Sequence, residues 1–194
     1  MNRGDPIPPD VRSRLMDFRA ELGNHPDRRA HDGYSRIATE QAIEGGLEGN
    51  AAIGALIADP DGLVILVERN RMFVPRFRSD FHAEMVLLTR YENQHGNQGD
   101  LRGHTLVTSL EPCEMCMIRI INSGVTNTLY VASDVGKGGI TGPNTLAPHW
   151  ARLAEPQNFA PADCSPRIAD IALEAFQVTI GGIVDKMMAR RLPR

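Results

Sequence analysis

The sequence predicts an α/β sandwich, and two observations carry that reading. The first is a strand pattern at 104–109, a helix from Cys113 closed by Asn122-Ser123-Gly124, and another strand pattern at 126–132. Strand, helix and strand in that order make a right-handed crossover between two parallel strands. The second is a pair of short apolar runs, 51–58 and 63–67, joined by Asp59-Pro60-Asp61-Gly62. Aspartate, proline and glycine in that order favour a tight turn, so the runs read as a hairpin of two buried strands.

The remaining elements follow in order. Residues 11–22 read as a short helix resting on the outside, broken by His25-Pro26-Asp27. Residues 34–47 give a second helix whose apolar face holds Ile37, Ala38, Gln41 and Ala42, fraying at Gly45-Gly46. After the hairpin a loop runs through Ser79. Ser79 or Asp80 is then placed to cap a helix that starts at His82, continues through Met85, Val86, Leu87, Leu88 and Tyr91, and ends near Asn93. A polar stretch leads to the strand at 104–109. Residues 134–170 are marked by glycine and proline and read as a long irregular insert. Residues 176–180 read as a last strand and 183–191 as a last helix. The expected organisation is an N-terminal extension, 1–32, packed on a single domain, 33–194.

Composition agrees with one compact unit. A chain of 194 residues, 42% hydrophobic and 23% charged, can bury one good core and has little room for two. With two of the three cysteines assigned below, Cys164 stands alone as an inert thiol, which argues for a reducing compartment. The N-terminus lacks an apolar signal segment, and no run approaches the ~18 apolar residues of a membrane span. A cytoplasmic protein without a membrane partner is expected. The net charge of −3 and pI near 6.1 provide no global field to draw in a polyanion.

The chemistry lies in a split constellation. His82-Ala83-Glu84 and, from residue 111, Glu-Pro-Cys-Glu-Met-Cys supply one imidazole, two thiols and a carboxylate beside them. Cys113 and Cys116 stand at i and i+3, and Pro112 suits the opening of a helix, so both sulfurs can point the same way from its positive end. That end favours thiolates, the metal-binding form. His82 and Glu84 lie roughly 200° apart around an ideal helix and belong at a helix start. A lone CxxC is also compatible with a redox dithiol or half of a zinc knuckle. No second CxxC closes a four-cysteine site, and the pair does not follow a thioredoxin-like first strand. The whole pattern, H-x-E…P-C-x-x-C, resembles the established mark of zinc deaminases.

Charge counting gives Glu84 its work. Zinc with two thiolates and a neutral imidazole is formally neutral and acidifies a bound water less than an all-histidine site does. A neighbouring base must take the proton as hydroxide attacks an amino-bearing ring carbon and deliver it to the ring nitrogen and departing ammonia. The expected reaction is hydrolytic deamination by a zinc hydrolase acting on a C–N bond. Because Glu84 is present, a zinc-stabilised binding module without catalysis is disfavoured.

Residues 34–133, and more loosely 175–191, resemble the cytidine deaminase-like superfamily, in the branch of guanine deaminase, cytosine deaminase and tRNA adenosine deaminase. The resemblance implies a three-layer α/β/α sandwich around a mixed five-stranded sheet and usually a homodimer or higher oligomer. It implies one Zn2+ per subunit held by His82, Cys113 and Cys116, with Glu84 as proton shuttle. Arg69-Asn70-Arg71 resembles the family's Asn-Arg segment, which implies that Asn70 binds the substrate ring; an ordinary turn asparagine is the alternative. The N-terminal extension and the insert depart from the family core. Met117-Ile118 replace the small residues usual in the tRNA enzyme, pointing to a different pocket wall or to ordinary helix packing.

For substrate, the reading favours a free nucleobase or similar aminated heterocycle, guanine-like before cytosine-like. The alternative is adenosine in tRNA. Arg69, Arg71, Arg76 and Arg78 interleaved with Phe73 and Phe77, and a second cluster of Lys186, Arg190, Arg191 and Arg194, are the residues that would grip RNA; solvated arginines or a subunit contact are the plainer reading. His149 and Trp150 in the insert are candidates for a stacking lid, against a core or interface tryptophan. Asp134 is a candidate pocket acid or a turn cap.

Overall fold

The computed structural model describes residues 7–96, 99–134 and 146–191. In chain order its elements are α1 (Pro9–Gly23), α2 (Asp32–Leu47), β1 (Gly54–Ala58), β2 (Val64–Arg69), α3 (Ala83–His95), β3 (Thr105–Leu110), α4 (Glu114–Ser123), β4 (Asn127–Ala132), α5 (Pro148–Ala154), β5 (Asn158–Pro161) and α6 (Pro166–Ala189). The strands form one five-stranded mixed sheet in the order β2-β1-β3-β4-β5. β1 runs antiparallel to β2 and β3, whereas β3, β4 and β5 are parallel.

Period-two alternation divides the core between the two faces of this sheet. On β1, Leu56 and Ala58 join Leu15, Phe18, Ala38, Ile43, Ile168 and Ile171 from α1, α2 and α6. Ala55 and Ile57 face the other way, toward Leu87 and Leu88 of α3 and Ile120 of α4. The result is the expected three-layer α/β/α sandwich. α5 packs against α4.

The β1–β2 turn is built as its residues require. Asp59 Oδ1 accepts hydrogen bonds from the amides of Asp61 and Leu63, at 3.0 and 2.9 Å, and Gly62 takes φ +86°, a conformation glycine adopts without strain. At the start of β1, Gly54 lies so close to α2 that a Cβ there would collide with the Ala38 carbonyl and the Ala42 amide.

Several expectations need correction. Residues 176–180 are not a strand but the middle of α6, because Phe176, Ile180, Ile183 and Met187 repeat at helical spacing and turn one face to a cavity. The stretch expected to be an irregular insert contains α5, β5 and the start of α6, and β5 completes the sheet; residues 135–145 lie outside the described residues. β2 is an edge strand with mixed exposure, not a buried one. α1 does more than rest outside: Leu15, Phe18 and Leu22 are buried. Neither Ser79 nor Asp80 caps α3; His82 is itself the N-cap, and Asp80 pairs with Arg78. Among the described residues no helix is long and apolar enough to cross a membrane.

Candidate active site

Two helix starts meet on one side of the sheet. His82 is the N-cap of α3 and Cys113 the N-cap of α4, both in extended backbone, with Cys116 one turn into α4. The unpaired N–H groups of both first turns therefore point toward the same small volume and give it positive potential. His82 Nδ1 lies 3.6 Å from the Sγ atoms of both Cys113 and Cys116. All three ligand atoms fall within 4.8 Å of one another.

This geometry can be tested against a metal. Tetrahedral bonds of about 2.3 Å to sulfur and about 2.05 Å to nitrogen set N and S roughly 3.6 Å apart. The donor set, one imidazole nitrogen and two sulfurs, suits zinc. His82, Cys113 and Cys116 thus form a group able to hold the ion with three side chains.

Glu84 stands beside them and is buried, only 3% exposed. One carboxylate oxygen, Oε1, accepts a hydrogen bond from Thr108 Oγ1 at 3.3 Å, and Oε2 lies 3.4 Å from Cys116 Sγ. Burial pushes the Glu84 pKa up, the direction that lets a buried carboxyl take up a proton more readily. The hydrogen bond with Cys116 pulls the Cys113 thiol down to about 4, helped against burial by His82. The same pairing, with burial and Glu84, drives Cys116 well above the usual thiol range. Burial opposes charge on His82, but Cys113 and Glu84 outweigh it and raise its pKa.

A cavity of about 210 Å³ opens from this group. Its polar lining is His82, Glu84, Cys113, Asn70, Glu111 and Asp134, and its apolar wall is Phe176, Ile180, Ile183 and Met187 of α6. Asn70 is 1% exposed, and its Oδ1 accepts a hydrogen bond from the Met72 amide at 3.0 Å. It is therefore both the turn asparagine and a pocket residue, since the turn fixes the orientation of the amide group in the wall.

Sequence reasoning missed Glu111 and the α6 wall. Glu111 is buried, and its Oε2 accepts the Asp134 amide at 3.2 Å, holding the chain after β4 at the cavity. The signal for α6 was present in the 176, 180, 183, 187 spacing. His149 and Trp150 lie on α5 and are not among the described residues that line the cavity. The two basic clusters do come together: Lys186 and Arg190 lie over the rings of Phe73 and Phe77, at 5.7 and 3.7 Å. Three of the arginines, however, are paired with acids: Arg69 with Glu48, Arg71 with Glu68 and Arg78 with Asp80. Arg194 lies outside the described residues.

The model of the cytidine and deoxycytidylate deaminase zinc-binding region matches residues 28–132. Among curated proteins, the chain is 33% identical over 115 residues to tRNA(Ile)-lysidine synthase of Deinococcus deserti, covering 58% of this chain and 21% of that one. It is 32% identical over 109 residues to tRNA-specific adenosine deaminase of Bacillus subtilis, covering 56% and 65%. The chain thus spans less than two thirds of the length of these relatives. Among solved structures, it is similar to a tRNA A34 deaminase, at TM-score 0.60 and 23% identity over 74% of this chain and 98% of that one. It is also similar to guanine deaminase from Nitrosomonas europaea, at TM-score 0.58 and 20% identity over 91% and 96%.

Proposed function

Because the chain belongs to the cytidine and deoxycytidylate deaminase zinc-binding family, we propose that it is a zinc-dependent hydrolytic deaminase of a free nucleobase or similar aminated heterocycle, guanine-like before cytosine-like. The observation that carries this reading is the cavity itself. Its 210 Å³ equals about seven waters at ~30 Å³ each, room for one heterocycle held against the apolar α6 face.

In this reading His82, Cys113 and Cys116 hold the zinc, which when bound acidifies a water and polarises the reacting centre. Glu84 moves two protons in turn: one from the attacking water to the ring nitrogen, and a second from the new hydroxyl on the ring carbon to the amine, which leaves as ammonia as the C–N bond breaks. Asn70 donates from Nδ2 to the ring and fixes its rotation. Phe176, Ile180 and Ile183 exclude water from one side of the ring, which strengthens every polar contact inside.

A second reading, adenosine in tRNA, is favoured by one feature: Phe73 and Phe77, 5.2 Å apart, with Lys186 and Arg190 over them. A stacking and phosphate-binding platform has these parts. The pairing of Arg69, Arg71 and Arg78 with acids and the net charge of −3 count against it. The test is ammonia release by the zinc-loaded protein from guanine, cytosine, adenine, nucleosides, aminated pterins and triazines, and tRNA. Turnover of a free base supports the first reading, and turnover of tRNA alone replaces it with the second.

A further inference from the structure

Thr108 is not among the residues that line the cavity, yet it is completely buried and its hydroxyl meets the carboxylate expected to move the proton. It sits in the middle of β3, the central strand, paired with Ala55 of β1 on one side and Tyr130 of β4 on the other. A hydroxyl carried on a strand held from both sides is a fixed reference point, unlike one on a loop. The neighbouring Ser109 is tied independently, since its Oγ accepts the Gly54 amide at 3.0 Å, which further pins the register of β3 against β1.

The two oxygens of Glu84 have different surroundings. Oε1 faces the Thr108 hydroxyl, 3.3 Å away, and Oε2 faces Cys116 Sγ, 3.4 Å away. A sulfur engaged as a metal ligand is a thiolate and offers no hydrogen bond. In the loaded site Thr108 is then the side-chain donor that remains on the carboxylate among these contacts, and it engages one oxygen only.

We propose that Thr108 is a positioning residue that anchors Glu84 through Oε1 and leaves Oε2, on the metal side, as the oxygen that carries the proton. The proposal rests on the deaminase reading for its catalytic consequence, but the anchoring itself is a structural statement. Without the anchor the carboxylate turns about its terminal torsion, which is broad and weakly restrained. Each turnover then begins from a mixture of orientations, so the chemical step slows while substrate binding, which uses the rest of the pocket, does not.

The test compares the zinc-loaded wild type with Thr108→Val, which removes the hydroxyl but keeps the shape, and Thr108→Ser, which keeps the hydroxyl. Kinetics use the panel compound with the highest wild-type rate, and metal content and crystal structures are determined for all three proteins. Loss of a hydrogen bond to a charged group should lower kcat of Thr108→Val roughly tenfold to a hundredfold, with KM within about threefold. Thr108→Ser should stay within about threefold of wild type, and all three should bind one zinc. The Glu84 carboxylate should be rotated or in several orientations in Thr108→Val and in place in Thr108→Ser. A Thr108→Val protein with wild-type kcat and an unmoved Glu84 overturns the proposal. So does a Thr108→Ser protein as slow as Thr108→Val, which would assign Thr108 to packing. If wild type releases no ammonia from any compound, the deaminase reading fails, and the structures alone decide the anchor: a displaced Glu84 in Thr108→Val upholds it, an unmoved one ends it.

Discussion

His82 and Cys113 occupy the same position, the N-cap, of two different helices, and Nδ1 of one lies 3.6 Å from Sγ of the other. An N-cap side chain leaves the helix in the direction of its unpaired amides, so two such ends brought together concentrate metal-binding atoms and positive potential in one place. The sheet does the bringing together, because β3 leads directly into α4 while α3 packs against β1 and β2.

Metal binding should therefore be coupled to stability. Free zinc at a thousandfold excess over its Kd stabilises by about 4 kcal/mol, roughly 8–15 °C in Tm for a chain of this size. Removing zinc with a chelator should lower Tm by that order in wild type and have no effect on Cys113→Ser, which should bind less than a tenth of the wild-type metal. Equal melting of the two proteins with and without chelator would mean that the group does not hold the ion.

Asn70 has two jobs in one side chain, an internal hydrogen bond to the Met72 amide and a place in the cavity wall. Asn70→Ala should raise KM about tenfold and change kcat by no more than a few-fold, the pattern of lost ground-state binding. Steady-state kinetics on the best substrate check this, and unchanged kinetics would reduce Asn70 to its turn.

The α6 wall can be tested by filling the cavity. Ile180→Trp puts an indole into about 210 Å³ and should raise KM at least tenfold for every heterocycle while leaving zinc content at one per chain. Wild-type kinetics in this variant would show that substrate sits elsewhere.

Far from the cavity, fully buried Asp32 joins the start of α2 to the start of α6. Its carboxylate accepts hydrogen bonds from the Arg28 and Arg29 amides at 2.8 and 3.0 Å and from the Ser165 hydroxyl at 2.7 Å. Burial alone would raise its pKa, but these bonds outweigh it and hold the group well below the ordinary carboxylate range. The folded pKa is thus below the unfolded value of about 3.9. The stability it contributes is fully present above pH ~4 and is lost as pH falls from there through the folded pKa. Asp32→Asn should cost about 2 kcal/mol at pH 7 in urea unfolding and should flatten the decline of stability below pH ~4. An acid limb identical to wild type would contradict the assignment.

What the sequence reveals and conceals follows from the range of the interactions involved. His82-Ala83-Glu84 and Pro112-Cys113 are legible because a helix start is a local event, written in a few adjacent residues. α6 is disguised where Val178, Thr179 and Ile180 imitate a strand and Gly181-Gly182 imitate a break, although all five lie inside one helix. Packing of Ile168, Ile171 and Ala175 against the sheet overrides those weak local preferences. β5 is hidden because its four residues are partly exposed and end in Pro161, with no alternation to see. Glu111 escapes notice because its partner, the Asp134 amide, lies beyond the far end of the next strand and is adjacent only in the fold.

The central claim is that this cluster removes an amino group with Glu84 carrying the proton. Its most direct test measures ammonia release and zinc content on the same preparations of wild type and Glu84→Gln. Wild type should turn over at least one aminated heterocycle, and both proteins should hold one zinc per chain. In the variant kcat should fall about a thousandfold or more. A Glu84→Gln protein that retains its zinc and turns over at the wild-type rate would contradict the claim.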